Sequence, residues 1–224
     1  MLAMPYSLNF HGEALILRPS GALHWPARRV LCVSDLHLGK SERLARRGGA
    51  LLPPYETRET LARLDAEIEA TGATTILCLG DSFDDAASLN GLEEADLLWL
   101  SKMTAGRTWI WIIGNHDAGP LEIAGTHLAT FKLGPITFRH IADPSLAGEI
   151  SGHYHPKARL AGKAWRCFLV DGARMILPAF GTYTGGLWCH DPVLADLMQP
   201  QALALLCGQS VRAIPMPRAS TSGR

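Results

Sequence analysis

Three apolar segments of the chain each end in a polar or glycine-containing turn. They cover residues 30–34, 74–79 and 108–113, and the residues that follow them are Asp35-Leu36-His37, Gly80-Asp81 and Gly114-Asn115-His116. Short apolar runs bounded by such turns predict buried strands. Helical periodicity in residues 56–70 and 92–103 separates these strands. The order strand, helix, strand, helix, strand predicts an α/β domain with a largely parallel sheet.

The second half of the chain is predicted to be rich in strands. Residues 126–133 and 136–141 flank Gly134-Pro135 as in a hairpin, and residues 165–170 and 174–177 flank the favourable turn Asp171-Gly172. With 224 residues there is room for one well-buried domain, which we expect to cover residues 1–214. Residues 215–224 offer little to bury and are expected to form a disordered tail.

Charge and cysteine content restrict the partners and the compartment. The 21 basic and 21 acidic residues cancel, so a phosphate or nucleic-acid partner would need a local patch or a metal ion. The five cysteines are odd in number and lack the paired spacing of zinc sites, which favours buried free thiols in a reducing cytoplasm. No apolar run approaches the roughly 18 to 20 residues that a membrane span requires, so no membrane partner is expected.

Metal-competent side chains follow several of the predicted strands. The set comprises Asp35, His37, Asp81, Asn115, His140, His153 and His155. Ligands in open α/β sheets gather beyond the carboxyl ends of the strands, so these residues are expected to form one site. Mixed carboxylate, amide and imidazole ligands suit Mn²⁺ or Fe²⁺, with Zn²⁺ as a further candidate. Any one of these histidines alone would more often be structural, but the ordered set is large enough for two metals.

Five motifs carry these residues in order: Asp35-x-His37, Gly80-Asp81-x-x-Asp84, Gly114-Asn115-His116-Asp117, an isolated His140 and Gly152-His153-x-His155. Together they resemble the motifs of the calcineurin-like binuclear metallophosphoesterases. The resemblance implies two mixed β-sheets packed face to face between outer α-helices, in α-β-β-α layers. It also implies that metal 1 is held by Asp35, His37, Asp81 and His155, and metal 2 by Asp81, Asn115, His140 and His153, with Asp81 as the bridge.

The resemblance extends to about residue 186 and narrows to one branch of the family. It is carried by residues 37–40 (His-Leu-Gly-Lys), 51–54 (Leu-Leu-Pro-Pro), 152–156 (Gly-His-Tyr-His-Pro), 167–168 (Cys-Phe) and 177–186. These segments are similar to the DNA ligase-associated branch, whose members resemble manganese-dependent single-strand DNA endonucleases encoded beside an ATP-dependent DNA ligase and a helicase in bacterial repair clusters. The likeness implies single-stranded DNA as substrate and a functional association with ligase and helicase.

The expected chemistry follows from two metals. Two divalent cations can polarise phosphoryl oxygens and activate a water molecule, so no protein nucleophile is required. His116 matches the family's histidine that is not a ligand, which implies that it contacts the scissile phosphate and protonates the leaving oxygen. Asp117 is expected to orient it.

Asp84 departs from the branch pattern. The branch has Gly-Asp-x-Phe-His-Asp where this chain has Gly80-Asp81-Ser82-Phe83-Asp84-Asp85. We assign Asp84 to the catalytic set with His116, and a carboxylate near a bound phosphate is expected to repel a polyanion. The sequence therefore predicts a protein that hydrolyses small, activated phosphodiesters but is weakened on DNA.

Basic residues follow the first motif closely. Lys40, Arg43, Arg46 and Arg47 have nearly helical spacing, and of these Lys40, Arg43 and Arg47 are candidate contacts to a DNA backbone. The alternative is an ordinary solvated helix face. Tyr154 lies between two ligand positions and is a candidate for stacking on a base, although packing against the site is the commoner role of such a ring.

Two other functions stay open from the sequence. One is a phosphodiesterase or phosphatase for a small nucleotide or a lipid-sugar pyrophosphate, but the lipid branch has arginine where this chain has His116. The other is a non-catalytic scaffold, which would be expected to have lost metal ligands, whereas the set here is complete. The oligomeric state is also open.

Overall fold

The apolar segments form the centre of the first of two β-sheets in the computed structural model, which describes residues 4–49, 52–85, 87–117, 119 and 122–218. Among these residues the sheet has seven strands in chain order: β1 Tyr6–Phe10, β2 Glu13–Leu17, β3 Leu23–Trp25, β4 Val30–Val33, β5 Thr75–Leu79, β6 Thr108–Ile112 and β7 Thr126–Leu128. Strands β1 to β4 pair antiparallel and β4 to β7 pair parallel. The predicted parallel centre is confirmed.

The second sheet is built from the second half of the chain. Its described strands are β8 Thr130–Leu133, β9 Ile136–Arg139, β10 Glu149–Ser151, β11 Lys157–Leu160, β12 Lys163–Val170, β13 Arg174–Ile176, β14 Leu203–Leu206 and β15 Arg212–Pro215. They lie in the order β15-β14-β12-β13-β10-β9-β8, and β11 pairs with β12 outside this path. Strand β10 pairs parallel with β9 and β13. Strands β12 and β13 form the hairpin predicted around Asp171-Gly172.

Residues 126–133 form two strands rather than the single hairpin arm predicted from the sequence. Strand β7 pairs parallel with β6 in the first sheet, and after Ala129 strand β8 pairs antiparallel with β9 in the second. The chain crosses between the sheets at this point. An apolar pattern indicates which residues are buried but not the sheet in which they pair, so this crossing could not be predicted.

The described residues contain four α-helices: α1 Lys40–Arg46, α2 Glu56–Thr71, α3 Glu94–Thr104 and α4 Pro192–Leu197. Helices α2 and α3 confirm the two helices predicted between the parallel strands. Helix α2 ends at Gly72, whose φ of 58° is left-handed. Helix α4 begins after Asp191, whose carboxylate accepts the N–H of Val193 at 3.0 Å.

Alternate residues of the central strands pack into different layers. In β5, Leu77 and Leu79 lie in the core between the sheets, while Ile76 and Cys78 pack with α2 and α3. In the second sheet, Phe168 and Leu205 join the shared core, whereas Leu169, Ala204 and Leu206 pack with Leu194 of α4. Because successive strand residues point to opposite faces, each apolar run fills two layers. The predicted α-β-β-α arrangement is confirmed.

The disorder expected from residue 215 onward is wrong for residues 215–218. Pro215 pairs with Leu203 at the end of β15, and the N–H of the buried Met216 donates to the carbonyl of Ala202 at 2.9 Å. The Arg218 guanidinium donates to carbonyls at the end of α4. These backbone contacts are not visible in a polar composition. Residues 1–3 and 219–224 lie outside the described residues, as does Leu51 of the branch segment 51–54.

Two further observations concern the state of the cysteines and the length of the helices. All five cysteines are free and buried, as predicted. The Sγ atoms of Cys167 and Cys189 lie 3.6 Å apart. Within the part of the chain that the structure describes, no helix is both long and apolar enough to cross a membrane.

Truncation of Leu77 to alanine is expected to destabilise the protein, because this fully buried side chain lies between the two sheets. Leu→Ala changes in such positions cost about 2–5 kcal/mol. The matched control Leu98→Ala removes a leucine that is 55% exposed on α3 and should change the free energy of unfolding by less than about 0.5 kcal/mol. Urea denaturation measures both variants, and equal stabilities would contradict this packing.

Candidate active site

The parallel strands of both sheets end close together, and the candidate residues lie in the loops that follow them. In the first sheet, Asp35 and His37 follow β4, Asp81 follows β5, and Asn115 and His116 follow β6. In the second sheet, His140 follows β9, and His153 and His155 follow β10. The first two loops continue the parallel pairing beyond the strands, since the N–H of His37 donates to the carbonyl of Asp81 at 3.0 Å. The register of the sheet thus sets the separation between motifs.

Asp35, His37 and His155 form the first cluster, in which one ligand atom of each residue lies within 4.8 Å of the others. The Nε2 atoms of His37 and His155 are 3.4 Å apart, and Nε2 of His155 lies 3.2 Å from Oδ1 of Asp35. The buried Asp35 carboxylate also accepts the Ser34 hydroxyl and, at 3.0 Å, the backbone N–H of His153. Burial opposes ionisation, but the hydrogen bond from His155 holds the pKa of Asp35 below its usual value.

Asp81, His140 and His153 form the second cluster, and Asn115 joins it. The Nε2 atom of His140 lies 2.9 Å from Oδ1 of Asn115, 3.3 Å from Oδ2 of Asp81 and 3.2 Å from Nδ1 of His153. The Nδ1 atom of His140 faces the carbonyl of Leu79 at 2.9 Å. A donor bond at Nδ1 sets the tautomer and leaves Nε2 able to bind a cation.

Asp81 and His140 form an ion pair in the second cluster, and each shifts the pKa of the other. Burial opposes ionisation of Asp81, but the hydrogen bond and charge of His140 outweigh it and lower the pKa of Asp81 to about 2. Burial also opposes protonation of His140, yet Asp81 and Asp35 raise the pKa of its imidazole to about 9. A divalent cation at Nε2 of His140 would bind the neutral imidazole. The role of Asp81 as a bridge between two metals stays a prediction.

Five of the seven candidate ligands have a left-handed backbone although none is glycine. The φ angles are 53° at Asp35, 47° at His37, 45° at Asp81, 70° at His153 and 47° at His155. Residues with a Cβ atom rarely adopt this region, and each instance costs of order 1–3 kcal/mol. Such strain persists only where the surrounding structure holds it, and it concentrates at functional sites. The backbone therefore marks the same loops as the side chains do.

Two motif glycines allow the ligands of the two sheets to approach each other. The φ of Gly80 is 74°, and a Cβ atom there would collide with the imidazole of His140. A Cβ atom at Gly152 would collide with the side chains of Ser34 and Asp35. Glycine is required at both positions because no side chain fits the space between the motifs.

His116 stands beside both clusters, and its side chain is 37% exposed. Its Nδ1 atom donates to the backbone carbonyl of Asp84 at 2.9 Å, and its Nε2 atom lies 4.0 Å from Oδ2 of Asp81. In the protonated form, His116 can donate from Nε2 toward a bound phosphoester, as a general acid must. The geometry supports the predicted position of His116, and its role stays a prediction.

Asp117 does not orient His116 as the sequence predicted. Its carboxylate accepts the N–H of Ser82 at 2.8 Å and the N–H of Gly114 at 2.9 Å. The residue therefore joins the loops after β5 and β6. Sequence reasoning missed this role, because a partner more than thirty residues away leaves no local pattern.

The structure contradicts the expectation that Asp84 meets the substrate. Its side chain is fully buried, Oδ1 accepts a hydrogen bond from Nδ1 of His37 at 2.8 Å, and the carboxylate pairs with Arg43 and, at 3.8 Å, with Lys40. Burial opposes ionisation, but His37 and the two cations hold the pKa of Asp84 below its usual value. A carboxylate that is buried and paired in this way is not exposed to contact a substrate, and its effect on DNA cleavage stays a prediction. We interpret Asp84 as the residue that orients His37.

The basic residues predicted to contact DNA are paired with acidic side chains. Lys40 and Arg43 face Asp84, and two further arginines bind Asp85: Arg46 at 3.0 Å and Arg47 at 3.2 Å. This pairing offsets their charge and favours the solvated-face alternative. Contact between DNA and Lys40, Arg43 or Arg47 stays a prediction.

Tyr154 is half-buried rather than presented to solvent. Its ring meets the ring of His153 edge to face with centroids 5.0 Å apart, and it packs against the apolar cluster outside the second sheet. These contacts favour the packing alternative, and stacking on a base stays a prediction.

Comparison with known proteins agrees with the fold and the clusters, which are those of a metal-dependent phosphoester hydrolase. The model of the family described as calcineurin-like phosphoesterase matches residues 28–190. The chain belongs to this family. A search of curated proteins finds no match. Among solved structures, the chain is similar to the nuclease MPE of Pseudomonas putida, with 29% identity and a TM-score of 0.72 over 94% of this chain and 100% of that chain.

Membership of the family accounts for the two clusters. Metallophosphoesterases bind two divalent metals, and the residues here fit such ions, because carboxylate and imidazole atoms from both sheets converge in buried surroundings. The protein is a metallophosphoesterase that hydrolyses phosphoesters. Its likeness to a nuclease is consistent with the ligase-associated branch indicated by the motifs.

Replacement of Asp84 by asparagine removes the negative charge that faces Nδ1 of His37 and is expected to weaken metal binding about 10- to 100-fold, as mutation of the partner of a ligating histidine does in other metal sites. The matched control is Asp85→Asn, because Asp85 carries the same charge but pairs with Arg46 and Arg47 away from the ligands. Calorimetric titration with Mn²⁺ measures both variants, and thermal unfolding checks that they fold. Equal metal affinities for the two variants would contradict the orienting role of Asp84.

Proposed function

We propose that this protein is a metal-dependent endonuclease that hydrolyses phosphodiester bonds of single-stranded DNA. The observation that carries the proposal is the convergence of seven metal-competent side chains from five loops in two adjacent clusters, with His116 beside them. The similarity to a nuclease of known structure supports a nucleic-acid substrate. The motifs shared with the ligase-associated branch support single-stranded DNA.

The two clusters would divide the ligands between two ions. Asp35, His37 and His155 would hold one cation, Asn115, His140 and His153 would hold the other, and Asp81 would be shared. When bound, two divalent cations supply Lewis acidity, which polarises phosphoryl oxygens and makes water a stronger acid. The mixed ligand set suits Mn²⁺, with Fe²⁺ and Zn²⁺ as the other candidates.

The chain's own residues orient the site and transfer the proton. Asp84 holds His37 through Nδ1, so that Nε2 of His37 faces the first cluster. The backbone carbonyl of Asp84 holds His116 in the same way, which leaves Nε2 of His116 as its donor atom. From there His116 protonates the leaving oxygen of the phosphodiester. Its partial exposure allows a phosphodiester within a polymer to reach it.

A small phosphoester is the second candidate substrate. The observation that favours it is the pairing of the α1 cations with Asp84 and Asp85, which offsets the charge expected to hold a polyanion there. The complete set of ligands counts against a non-catalytic scaffold.

The branch resemblance also supports a biological setting. We propose that the activity serves DNA repair in the cytoplasm, in functional association with an ATP-dependent DNA ligase and a helicase. The five free cysteines support a reducing compartment.

The substrate class is tested by offering the purified protein, with Mn²⁺, single-stranded DNA, duplex DNA, a bis-aryl phosphodiester and an aryl phosphomonoester. We expect hydrolysis of the single-stranded DNA and of the aryl phosphodiester. Asn115→Ala, which removes one candidate ligand, is the inactive control. Hydrolysis of the monoester alone would overturn the endonuclease proposal.

The general-acid role of His116 predicts a substrate-dependent loss of rate. His116→Ala should lower DNA cleavage about 10²- to 10⁴-fold, because the alkoxide of a sugar is a poor leaving group that needs a proton. The rate on the aryl phosphodiester should fall much less, because an aryl oxide leaves without protonation. Steady-state rates on the two substrates give the comparison. An equal loss on both would show that His116 acts on binding or structure instead.

A further inference from the structure

Residues 181–186 pass directly beside the first metal cluster. The N–H of Gly181 donates to the carbonyl of Asp35 at 3.1 Å. Five residues later, Gly186 has a φ of 145°, and a Cβ atom there would collide with the backbone of His155. The backbone of this segment therefore runs between two metal-ligand positions.

Tyr183 lies between these two contacts and is 41% exposed. It is two residues from Gly181 and three from Gly186, so its Cα atom lies at most about 11 Å from either contact. Its φ of 59° is left-handed, which is rare for a residue with a Cβ atom. An exposed aromatic ring held beside a phosphodiester site is suited to stacking on a nucleobase.

Lys157 and Arg159 lie on β11, and both side chains pack over the ring of Trp188. The Nζ atom of Lys157 lies 4.7 Å and the guanidinium carbon of Arg159 lies 5.1 Å from the ring centroid. The backbone of Trp188 pairs with that of Lys157, and the imidazole of His190 stacks on the indole with an angle of 7° between the rings. Because β11 starts two residues after His155, the Cα atoms of Lys157 and Arg159 lie within about 14 Å of the Cα atom of that ligand.

The cations of Lys157 and Arg159 have different partners from the cations of α1. Within the described ranges, neither residue takes part in a salt bridge, and both cations face an aromatic ring instead. The cations of α1 and its C-terminus all pair with carboxylates. Residues 157–224 also hold eight basic residues against three acidic ones. Cations without acidic partners attract a polyanion more strongly than paired ones do.

We propose that Tyr183, Trp188, Lys157 and Arg159 form a basic–aromatic track that binds single-stranded DNA as it extends from the scissile phosphate. Tyr183 stacks on a base next to the metal centre. Lys157 and Arg159, held in place by Trp188, contact phosphates further along the strand. The inference rests on the proposed endonuclease function and places the main DNA contact on β11 and the segment after β13 rather than on α1.

The first test compares two double variants, Lys157→Ala with Arg159→Ala, and Arg46→Ala with Arg47→Ala. Binding of a fluorescent single-stranded oligonucleotide is followed by anisotropy at several salt concentrations, without divalent metal so that no cleavage occurs. The first variant should bind more weakly. The plot of log K against log salt should become shallower, by about 0.7 in slope for each phosphate that the variant no longer neutralises. The second variant should resemble the wild type. The single variant Arg159→Glu, at an exposed position, repeats the test should the double variant unfold.

The stacking contact has its own matched pair. Tyr183→Ala should bind the oligonucleotide roughly 5- to 150-fold more weakly, which corresponds to the removal of one base–aromatic stack. Tyr183→Phe keeps the aromatic face and should bind like the wild type.

Hydrolysis of the bis-aryl phosphodiester with Mn²⁺ separates the track from the metal site. The track variants should keep this activity while their affinity for DNA falls. Wild-type affinity and salt dependence in the Lys157 and Arg159 variants would overturn the track alone. A wild-type protein that hydrolyses the aryl phosphodiester but binds no single-stranded DNA would overturn both the track and the proposed substrate.

Discussion

The carboxylate of Asp35 joins the two sheets at the site, and the geometry of the metal clusters depends on it. Asp35 follows β4 of the first sheet, and it accepts the backbone N–H of His153, which follows β10 of the second. The same carboxylate lies 3.2 Å from Nε2 of His155. Because the Asp35 carboxylate is fully buried, these bonds are stronger electrostatically than they would be at the surface. The carboxylate can reach its partners only because the shared core, which includes Leu77 and Phe168, sets the spacing of the sheets.

Rigid support is what allows the strained loops to exist. Five candidate ligands occupy left-handed conformations, and unsupported loops would relax from them. Here the parallel pairing continues past β4 and β5, and the Asp117 carboxylate joins two loops. Glycines let the loops pack against each other without a gap. The free energy that maintains the site is therefore supplied by packing and hydrogen bonding outside it. This division explains why a small polar centre is built on three apolar clusters.

The sequence predicted the parts of the structure that have a local signature. Central strands such as β5 are continuous apolar runs, and the ligands follow them directly, so fold class and ligand set were both accessible. Edge strands β1 and β15 escaped prediction, because a strand buried on one face has a weaker pattern. The role of Asp84 was also inaccessible. A motif position shows that a carboxylate replaces an imidazole, but only the folded chain shows that it faces Nδ1 of His37.

Asp84 also connects the interior of the protein to its surface. One carboxylate oxygen binds the imidazole of His37, and the other binds Arg43 on α1. Two equilibria that share a group are thermodynamically linked, and such linkage is reciprocal. Metal binding at His37 and the placement of Arg43 on α1 are therefore linked through one carboxylate. The carboxylate of Asp84 thus ties a candidate metal ligand to a helix at the surface of the protein.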